Sequence, residues 1–291
     1  MTKINFLEQK AQWIRRRTLE LHKFAPETRI ASSLSPVEVL TTLYYGGFIK
    51  FDASNPLWEQ RDRVIISKGH GSISLYPILA DLGFFSVCEL ERIGQEGSFL
   101  GGIPDPVIPG YETVNGSLGH GPGVAAGMAI GLRAKNNPAK VFVLVGDGEL
   151  YEGAVWEALM FSGHHRLNNL ILIIDANKAC MLDFCKNVID YHPLKEKLES
   201  FRWRVAEVDG HSVAQLYDLF STITTTTTPI TTTDAAAATA RPLAIIAHTI
   251  KGKGVPRLEC DPLSHIKTLA ASEVDALINS VQSGQIELTE K

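Results

Sequence analysis

The sequence predicts an α/β protein in which helices cover both faces of a central, mostly parallel sheet. Apolar runs at 141–145 and 170–175 have the length and composition of buried strands, and a helix-like stretch at 152–165 separates them. Two more apolar runs follow at 203–208 and 243–247. Strands that alternate with helices pair in parallel, because each connection must cross a face of the sheet.

The amino-terminal part of the chain is predicted to begin with helices. An amphipathic helix is expected over residues 6–23. A second helix is expected after Ser35, because Ser35 and Glu38 have the spacing of a capping box and Pro36 occupies the first helical position. The first strand-like apolar run then follows at 63–67.

The middle of the chain contains a long connection rich in Gly and Pro, at residues 94–124. A helix is predicted before it, over 74–81, and another after it, over 123–135, where small residues suit close packing on a sheet. Long connections are uncommon in compact domains and are usually functional. We therefore expect this segment to contribute to function.

The last part of the chain includes a low-complexity segment of Thr and Ala at 221–241. We expect it to be a mobile surface loop without chemistry. A short helix is predicted over 272–280. With 291 residues, a formal charge of −4 and 45% hydrophobic content, the chain is predicted to be one domain, 1–291.

The composition also argues against several classes of partner and location. There is no excess of basic residues, so no nucleic acid is expected. No apolar run approaches the ~20 residues of a membrane span, and the first residues begin no signal peptide. The four cysteines lack the spacing of a zinc site, which favours free thiols and a cytoplasmic location.

Polar residues follow two neighbouring predicted strands at their carboxyl ends. Asp147, between Gly146 and Gly148, follows one run, and Asn177 follows the next. Ligands of open α/β sheets bind at this edge. Carboxylate and amide oxygens suit Mg²⁺, and glycines let backbone N–H groups approach a diphosphate closely. The spacing therefore predicts a metal–diphosphate site.

These residues belong to a stretch, from Gly146 to Lys178, that resembles the thiamine diphosphate motif of transketolases. Further landmarks occur in the family's order: Ser67–Gly71, Gly116–Gly121, Asp209–His211 and His248–Gly254. The resemblance covers roughly residues 5–270. It corresponds to the amino-terminal, diphosphate-binding part of a full transketolase, and implies the thiamine-diphosphate-binding fold.

The resemblance implies thiamine diphosphate as the cofactor, together with Mg²⁺ (or Ca²⁺ or Mn²⁺). The metal would be bound by the side chains of Asp147 and Asn177 and by the backbone carbonyl of Ala179. The implied cofactor contacts are His70, Gly116, Leu118, Gly146, Gly148, Glu149, Asn177 and Lys251. Of these, Gly148 and Glu149 would donate backbone N–H groups to the diphosphate.

Transketolases transfer a two-carbon ketol unit from a ketose to an aldehyde, so the resemblance also implies catalytic residues. His70 and His265 match family histidines near the reacting carbons. Imidazoles suit proton transfer at substrate hydroxyls near pH 7. Glu152 and Glu157 match glutamates at the family's subunit interface, which are implied to communicate between sites. We therefore include Glu152 with the catalytic candidates.

A partner subunit is a further implication of the resemblance. Thiamine enzymes of this type need a glutamate beside the aminopyrimidine of the cofactor, and in the family it lies on the following pyrimidine-binding domain. This sequence does not include that domain. We therefore expect a separate pyrimidine-binding subunit, equivalent to the C-terminal part of a transketolase, and an α₂β₂ heterotetramer.

The substrate side of the site departs from the family pattern. Arg29 and Ile103 occupy positions where the family has histidines, and Ile266 replaces a glycine after His265. Loss of imidazole partners disfavours ordinary sugar phosphates, whereas Arg29 favours an anionic group. We expect Arg29, Ile103 and His265 to contact a non-standard ketose or 2-oxo substrate, in a biosynthetic pathway.

Two other functions remain open for the same residues. The chain could be the α-type subunit of a 2-oxo-acid dehydrogenase-like or acyl-forming thiamine enzyme, and the donor, a ketose or a 2-oxo acid, discriminates between these enzymes. The third possibility is a non-catalytic, cofactor-binding or regulatory subunit. The intact metal motif argues against full degeneration.

Overall fold

The computed structural model describes residues 1–225 and 240–282. Within these ranges, five strands form one sheet in the order β1-β2-β3-β5-β4, and all neighbouring strands are parallel. The strands are β1 (Arg63–Ile66), β2 (Val141–Gly146), β3 (Leu170–Ala176), β4 (Arg204–Asp209) and β5 (Leu243–His248). The predicted α/β fold with a central parallel sheet is confirmed.

Helices cover both faces of this sheet. They are α1 (Lys3–Phe24), α2 (Ile30–Leu34), α3 (Val37–Tyr45), α4 (Leu75–Asp81), α5 (His120–Ala134), α6 (Gly153–His164), α7 (Cys185–Val188), α8 (Leu194–Ser200), α9 (Val213–Thr225), α10 (Pro256–Glu259) and α11 (Ala271–Gln282). Short 3₁₀ segments lie at Gly69–Gly71, Val87–Arg92 and Asp147–Tyr151. Across the described ranges, no helix combines the length and the apolar character needed to cross a bilayer.

Alternate residues of each strand enter two different hydrophobic cores. On β2, Val141, Val143 and Val145 pack with residues of α5 and α6, whereas Phe142 and Leu144 pack with residues of α1, α3 and α4. A strand covered on both faces is apolar at every position, which explains the continuous apolar runs in the sequence. A smaller core joins α1 and α2 to α10 and α11.

The predicted capping box at the start of α3 is wrong. Pro36, rather than Ser35, precedes the first helical residue, and no side chain caps the helix. Ser35 Oγ instead donates to Asp175 Oδ2 (2.6 Å), and the Glu38 carboxylate forms a buried ion pair with Arg15. Both side chains find ionised partners in the interior, and hydrogen bonds to charged groups are stronger than those to a helix backbone.

The start of the Thr/Ala-rich segment also differs from the prediction. Residues 221–225 continue α9 instead of forming a mobile loop. Phe220 and Ile223 are buried, three positions apart on one face, so the helix gains packing by extending. Residues 226–239 of this segment lie outside the described residues. The single domain over 1–291 stays a prediction.

Candidate cofactor and metal site

Parallel pairing of β2 and β3 brings the predicted metal ligands to one edge of the sheet. Gly146, the last residue of β2, lies opposite Asp175 of β3, so Asp147 and Asn177 both follow the carboxyl ends of their strands. A cavity of about 310 Å³ opens at this edge. It is lined by Ser32, Lys68, His70, Leu118, Gly146, Asp147, Gly148, Glu149, Tyr151, Asn177, Ala179, Cys180, Met181, Leu182, Val188, Lys251 and His265.

Asp147 is fully buried in this cavity wall. Its Oδ1 accepts from the Gly148 N–H (2.8 Å), and its Oδ2 accepts from the Lys178 N–H and the Tyr191 hydroxyl (3.2 Å). Burial and the nearby Asp175 carboxylate nevertheless raise the pKa of Asp147 to about 6. A buried carboxylate whose charge its protein partners stabilise only in part suits a divalent cation.

Asn177 and Ala179 supply two further oxygens. The Asn177 amide N–H donates to Asp175 Oδ2 (3.0 Å), and Asn177 Oδ1 accepts from the Ala179 N–H (3.2 Å). Among the described residues, no group of three or more His, Cys, Asp or Glu side chains could hold a metal, so an ion here must use neutral oxygens as well. One carboxylate, one amide oxygen and one carbonyl are hard ligands, and they fit Mg²⁺.

Two buried lysines give the cavity positive charge. Lys68 pairs with Asp175. The Lys251 ammonium donates to the carbonyls of Ala179 (2.9 Å) and Cys180 (3.1 Å), and no described carboxylate lies within ion-pair distance of it. Burial and the charge of Lys68 lower the pKa of Lys251 to about 8. A buried cation that forms no direct ion pair with a described carboxylate, beside the candidate metal ligands, fits a diphosphate.

Glu149 fixes the local backbone with its side chain. Its Oε1 accepts from the Ser67 hydroxyl and the Gly119 N–H (2.8 Å), and its Oε2 accepts from the Gly146 N–H (3.2 Å). Burial raises the pKa of Glu149, and these donors oppose that rise. The carboxylate thus joins the ends of β1 and β2 to the start of α5. The sequence predicted only a backbone contact for this residue.

His70 and His265 lie side by side at the cavity, with ring centroids 4.9 Å apart. Burial, the proximity of His265 and the nearby cations lower the pKa of His70 to about 3, and burial with Lys251 does the same for the pKa of His265. Both rings are therefore neutral. His265 Nδ1 lies 3.1 Å from the Lys251 ammonium, which can only donate, so the ring proton is on Nε2.

Arg29 is exposed and lies outside the cavity lining. It is nevertheless close enough for its charge to contribute to the low pKa values of His70 and His265. Arg29 directly precedes α2. Its guanidinium forms no ion pair with a described carboxylate. The structure therefore leaves this cation unpaired among the described residues, within reach of the electrostatic environment of the two imidazoles.

Three other predicted site residues also lie outside the lining. Gly116 is exposed, two residues before Leu118, which does line the cavity. Ile103 is 50% exposed. Glu152 is exposed at the residue that precedes α6. The structure therefore brings together the predicted metal and diphosphate contacts, and it places Gly116, Ile103 and Glu152 on the surrounding surface.

Several lining residues escaped the sequence analysis: Ser32, Lys68, Tyr151, Met181, Leu182 and Val188. Lys68 could have been found, because it lies inside the Ser67–Gly71 landmark. Met181 and Leu182 follow the Asn177 motif without any pattern of their own. Tyr191, which donates to Asp147, comes from an irregular segment 14 residues after Asn177 (191 − 177) and had no signal in the sequence.

Comparison with known proteins identifies the family. Residues 25–283 match the family described as "Transketolase, thiamine diphosphate binding domain". The 6-deoxy-6-sulfo-D-fructose transketolase subunit SqwG of Clostridium sp. (strain MSTE9) is 35% identical over 260 residues, which cover 89% of this chain and 90% of that protein. One subunit of the apulose-4-phosphate transketolase of Actinobacillus succinogenes is 34% identical over 278 residues, which cover 95% of this chain and 96% of that subunit.

A solved structure shares the same fold. The transketolase of Campylobacter jejuni superimposes with a TM-score of 0.85 at 27% identity, and the match covers 99% of this chain but 44% of that one. The present chain thus spans under half of a single-chain transketolase and nearly the whole of the two subunits. The resemblance drawn from the sequence is confirmed: the chain belongs to the transketolase family and carries its thiamine diphosphate binding domain.

Proposed function

We propose that this chain is the metal- and diphosphate-binding subunit of a two-component transketolase that transfers a two-carbon ketol unit. One observation carries the proposal: buried Asp147 and Asn177 lie in one cavity with Lys251, a buried cation that forms no direct ion pair with a described carboxylate. That arrangement fits a metal-bound diphosphate. The nearly full-length match to two relatives that are named as transketolase subunits supports the two-component form.

In this proposal the cofactor contacts divide by chemistry. Asp147, Asn177 and the Ala179 carbonyl hold Mg²⁺, and Lys251 neutralises diphosphate charge. The remaining contacts to thiamine diphosphate are His70, Gly116, Leu118, Gly146, Gly148 and Glu149. Once bound, the cofactor supplies the electron sink that stabilises the carbanion released when the donor's carbon–carbon bond breaks.

His70 and His265 handle protons at substrate hydroxyl groups. Their low pKa values come from burial and from the cations around them, and a bound diphosphate would neutralise part of that positive charge. Each pKa would then move towards the ordinary value near 6.5, where an imidazole exchanges protons efficiently at neutral pH. The Nε2–H of His265 can then donate to a substrate oxygen.

The substrate is proposed to be a non-standard, anionic ketose. Arg29, whose charge acts on both imidazoles, offers a guanidinium that forms no ion pair within the described ranges, and such a group favours a phosphate or sulfonate. The two subunit relatives are named for 6-deoxy-6-sulfo-D-fructose and apulose 4-phosphate, which both carry an anionic group. Ile103, where the family resemblance expects histidine, removes a hydrogen bond to an ordinary sugar phosphate.

A pyrimidine-binding subunit is proposed to cover the cavity and supply the activating glutamate. Exposed apolar side chains lie at this edge: Met181, Leu182, Val188 and Ile189. Contiguous exposed apolar residues around a site are typical of an interface. A ketose without this subunit would meet a site that is open to water on one side.

A second copy of the chain is proposed to pack on the α5–α6 face, which gives α₂β₂. A shallow groove between these helices is lined by Gly123, Gly127, Ile130 and Phe161, and Glu157 lies at its edge. Glu152 then acts across this interface between sites. The four cysteines are unpaired, which supports a cytoplasmic location for the assembly.

Donor screening of the assembled enzyme tests the proposal. The complex, purified from its natural host through a tag on this chain, is supplied with thiamine diphosphate, Mg²⁺, an aldehyde acceptor and either ketoses or 2-oxo acids. We expect ketol transfer from an anionic ketose other than the ordinary ketose phosphates, abolished by Asp147→Ala. Turnover of 2-oxo acids alone would favour the α-type dehydrogenase subunit, and efficient use of ordinary ketose phosphates would contradict the non-standard substrate.

A further inference from the structure

A buried network of three side chains lies behind the segment that carries Lys251. Arg15 of α1, Glu38 of α3 and His211 of the β4–α9 loop contact one another in that order. The Arg15 and Glu38 side chains are 0% and 1% exposed, and His211 is 14% exposed. A buried ion pair is often no more stabilising than apolar packing, so a contribution to stability alone poorly explains why this network is present.

The two outer members of this network, His211 and Arg15, bind the backbone on either side of Lys251. The Ile250 N–H donates to His211 Nε2 (2.9 Å), and the Lys253 carbonyl accepts from the Arg15 guanidinium (2.5 Å). The main chain of Lys251 is therefore fixed from both directions. Its ammonium, in turn, reaches the proposed metal site.

The hydrogen bonds determine the protonation state of His211. A backbone N–H can only donate, so Nε2 is unprotonated and Nδ1 donates to Glu38 Oε2 (2.8 Å). Burial opposes the charge on Glu38, but the charge of Arg15 and the hydrogen bond from His211 outweigh it and lower the pKa of that carboxyl to about 2. His211 is thus a neutral imidazole that links a permanent carboxylate to the Ile250 backbone.

Gly210, the residue before His211, packs closely against the end of β5 and Thr249. The Gly210 N–H donates to the His248 carbonyl (2.8 Å), and a Cβ at Gly210 would lie 2.4 Å from Thr249 Cγ2. Thr249 Oγ1 also donates to the buried Asp175 carboxylate. His211 therefore approaches Ile250 from a fixed position.

We propose that His211, held by Glu38 and Arg15, is a positioning residue for Lys251 and hence for the diphosphate of the cofactor. The inference rests on the proposed function, because it takes Lys251 as a diphosphate contact. Loss of the bond to Ile250 removes the backbone hydrogen bond nearest to Lys251 on one side, although Thr249 stays bound to Ala176 and Asp175. The ammonium then leaves its place beside Ala179, while Asp147 and Asn177 remain where they are.

A matched pair of substitutions separates the two bonds of His211. His211→Asn places an amide N–H near the Nδ1 position, so it retains the bond to Glu38 and loses the acceptor for Ile250. His211→Gln places an amide oxygen near the Nε2 position and retains that acceptor. His248, whose ring pairs with Glu207 on the surface of the same sheet edge, provides the control His248→Asn.

The measurement is calorimetric titration of the purified two-subunit complex with thiamine diphosphate at fixed Mg²⁺. We expect His211→Asn to raise the Kd about 10-fold, as for residues that orient a ligand contact, and His211→Gln to raise it by less than about 3-fold. His248→Asn should leave it unchanged. At saturating cofactor, kcat of His211→Asn should return to the wild-type value, because only binding is impaired.

A double-mutant cycle with Lys251→Met distinguishes positioning from a general loss of structure. If His211 acts through Lys251, His211→Asn weakens binding no further in the Lys251→Met background. Full additivity, or equal affinities of wild type and His211→Asn, would overturn the inference alone. The inference would also be overturned if His211→Gln lost as much affinity as His211→Asn and if both losses tracked a lower Tm of the variants. Absence of metal-dependent binding by the wild-type complex would overturn the proposed function, and this inference with it.

Discussion

The proposed cofactor half and the proposed substrate half of this site are built in different ways. Asp147, Glu149 and Asn177 lie at the ends of central strands, and each is more than nine-tenths buried. Arg29 and Ile103, in contrast, are exposed on segments outside the sheet. Strand ends are fixed by the hydrogen-bond ladder, whereas exposed segments accept new side chains without disturbing a core. The comparison teaches how one fold can retain its cofactor while its substrate changes.

The largest effect is expected from a change in the cofactor half. Asp147→Ala removes the charged ligand of the proposed metal, and neither Asn177 nor the Ala179 carbonyl can replace its charge. We expect metal-dependent binding of thiamine diphosphate to weaken by ~100-fold or more, since even outer-shell partners contribute 10–100-fold. Calorimetric titration with thiamine diphosphate, with and without Mg²⁺, measures this loss of affinity.

The control for Asp147→Ala is the same substitution at Asp218, which is exposed on α9. This variant should bind the cofactor like the wild type. Retention of metal-dependent binding by Asp147→Ala would place the metal elsewhere and remove the basis of the comparison.

A second change tests whether the cofactor half is held by its own hydrogen bonds. In Glu149→Gln, the amide N–H₂ replaces an oxygen that accepts from Gly146 or from Ser67 and Gly119. At least one buried donor then loses its acceptor, which costs about 1–3 kcal/mol. Urea denaturation should show that loss, and the exposed Glu196→Gln on α8 should not. Equal stabilities would mean that these loops are held by packing.

Changes in the substrate half should leave the cofactor half intact. Arg29→His removes the permanent charge proposed to bind the anionic group, so kcat/KM for the anionic donor should fall about 10-fold, the loss of one charge-assisted hydrogen bond. The affinity for thiamine diphosphate should stay within a factor of about 2, because Arg29 lies outside the lining of the cofactor cavity and distant sites act independently. Arg92→His, at an exposed arginine paired with Glu89, is the control. A parallel loss of cofactor affinity would show that the two halves are not independent.

Acid should lower the stability of the fold through His22, which supports the segment that carries Arg29, with a smaller effect. His22 lies in α1, is fully buried, and contacts Thr28, which precedes Arg29, and the Leu269 N–H. Burial lowers the pKa of His22 from 6.5 to about 4. Because the folded-state pKa lies below the unfolded value, its stabilising contribution is complete above about pH 6.5 and is lost as the pH falls through 4.

Thermal unfolding between pH 7 and pH 4 measures this contribution. His22→Gln can still accept from Leu269 but does not titrate, so its Tm should fall less steeply with acid than that of the wild type. His70 and His265 have pKa values lowered in the same direction and remain in both proteins. Identical acid slopes for the two proteins would assign the acid sensitivity to other groups.

Most of the fold was accessible from the sequence, because parallel strands covered on both faces give continuous apolar runs. The predicted strands at 141–145 and 170–175 differ from β2 and β3 by one residue at one end. The meeting of Asp147 and Asn177 was predictable for the same reason, since residues after parallel strands meet at one edge. Local pattern and tertiary structure agree in this part of the chain.

The sequence failed where long-range partners override local patterns. Ser35 and Glu38 have the spacing of a cap, but Asp175 and Arg15, far away in the chain, bind them instead. The side-chain role of Glu149 likewise depends on three segments that only the fold brings together. Tyr191 donates to Asp147 from an irregular segment, for which sequence has no periodic pattern.

The most direct test of the central claim is the location of the metal itself. The two-subunit complex is crystallised with thiamine diphosphate and Mn²⁺, and the ion is located by its anomalous scattering. We predict one peak bound by the Asp147 carboxylate, the Asn177 side-chain oxygen and the Ala179 carbonyl. A peak away from these three ligands, or cofactor bound without any metal, would contradict the account.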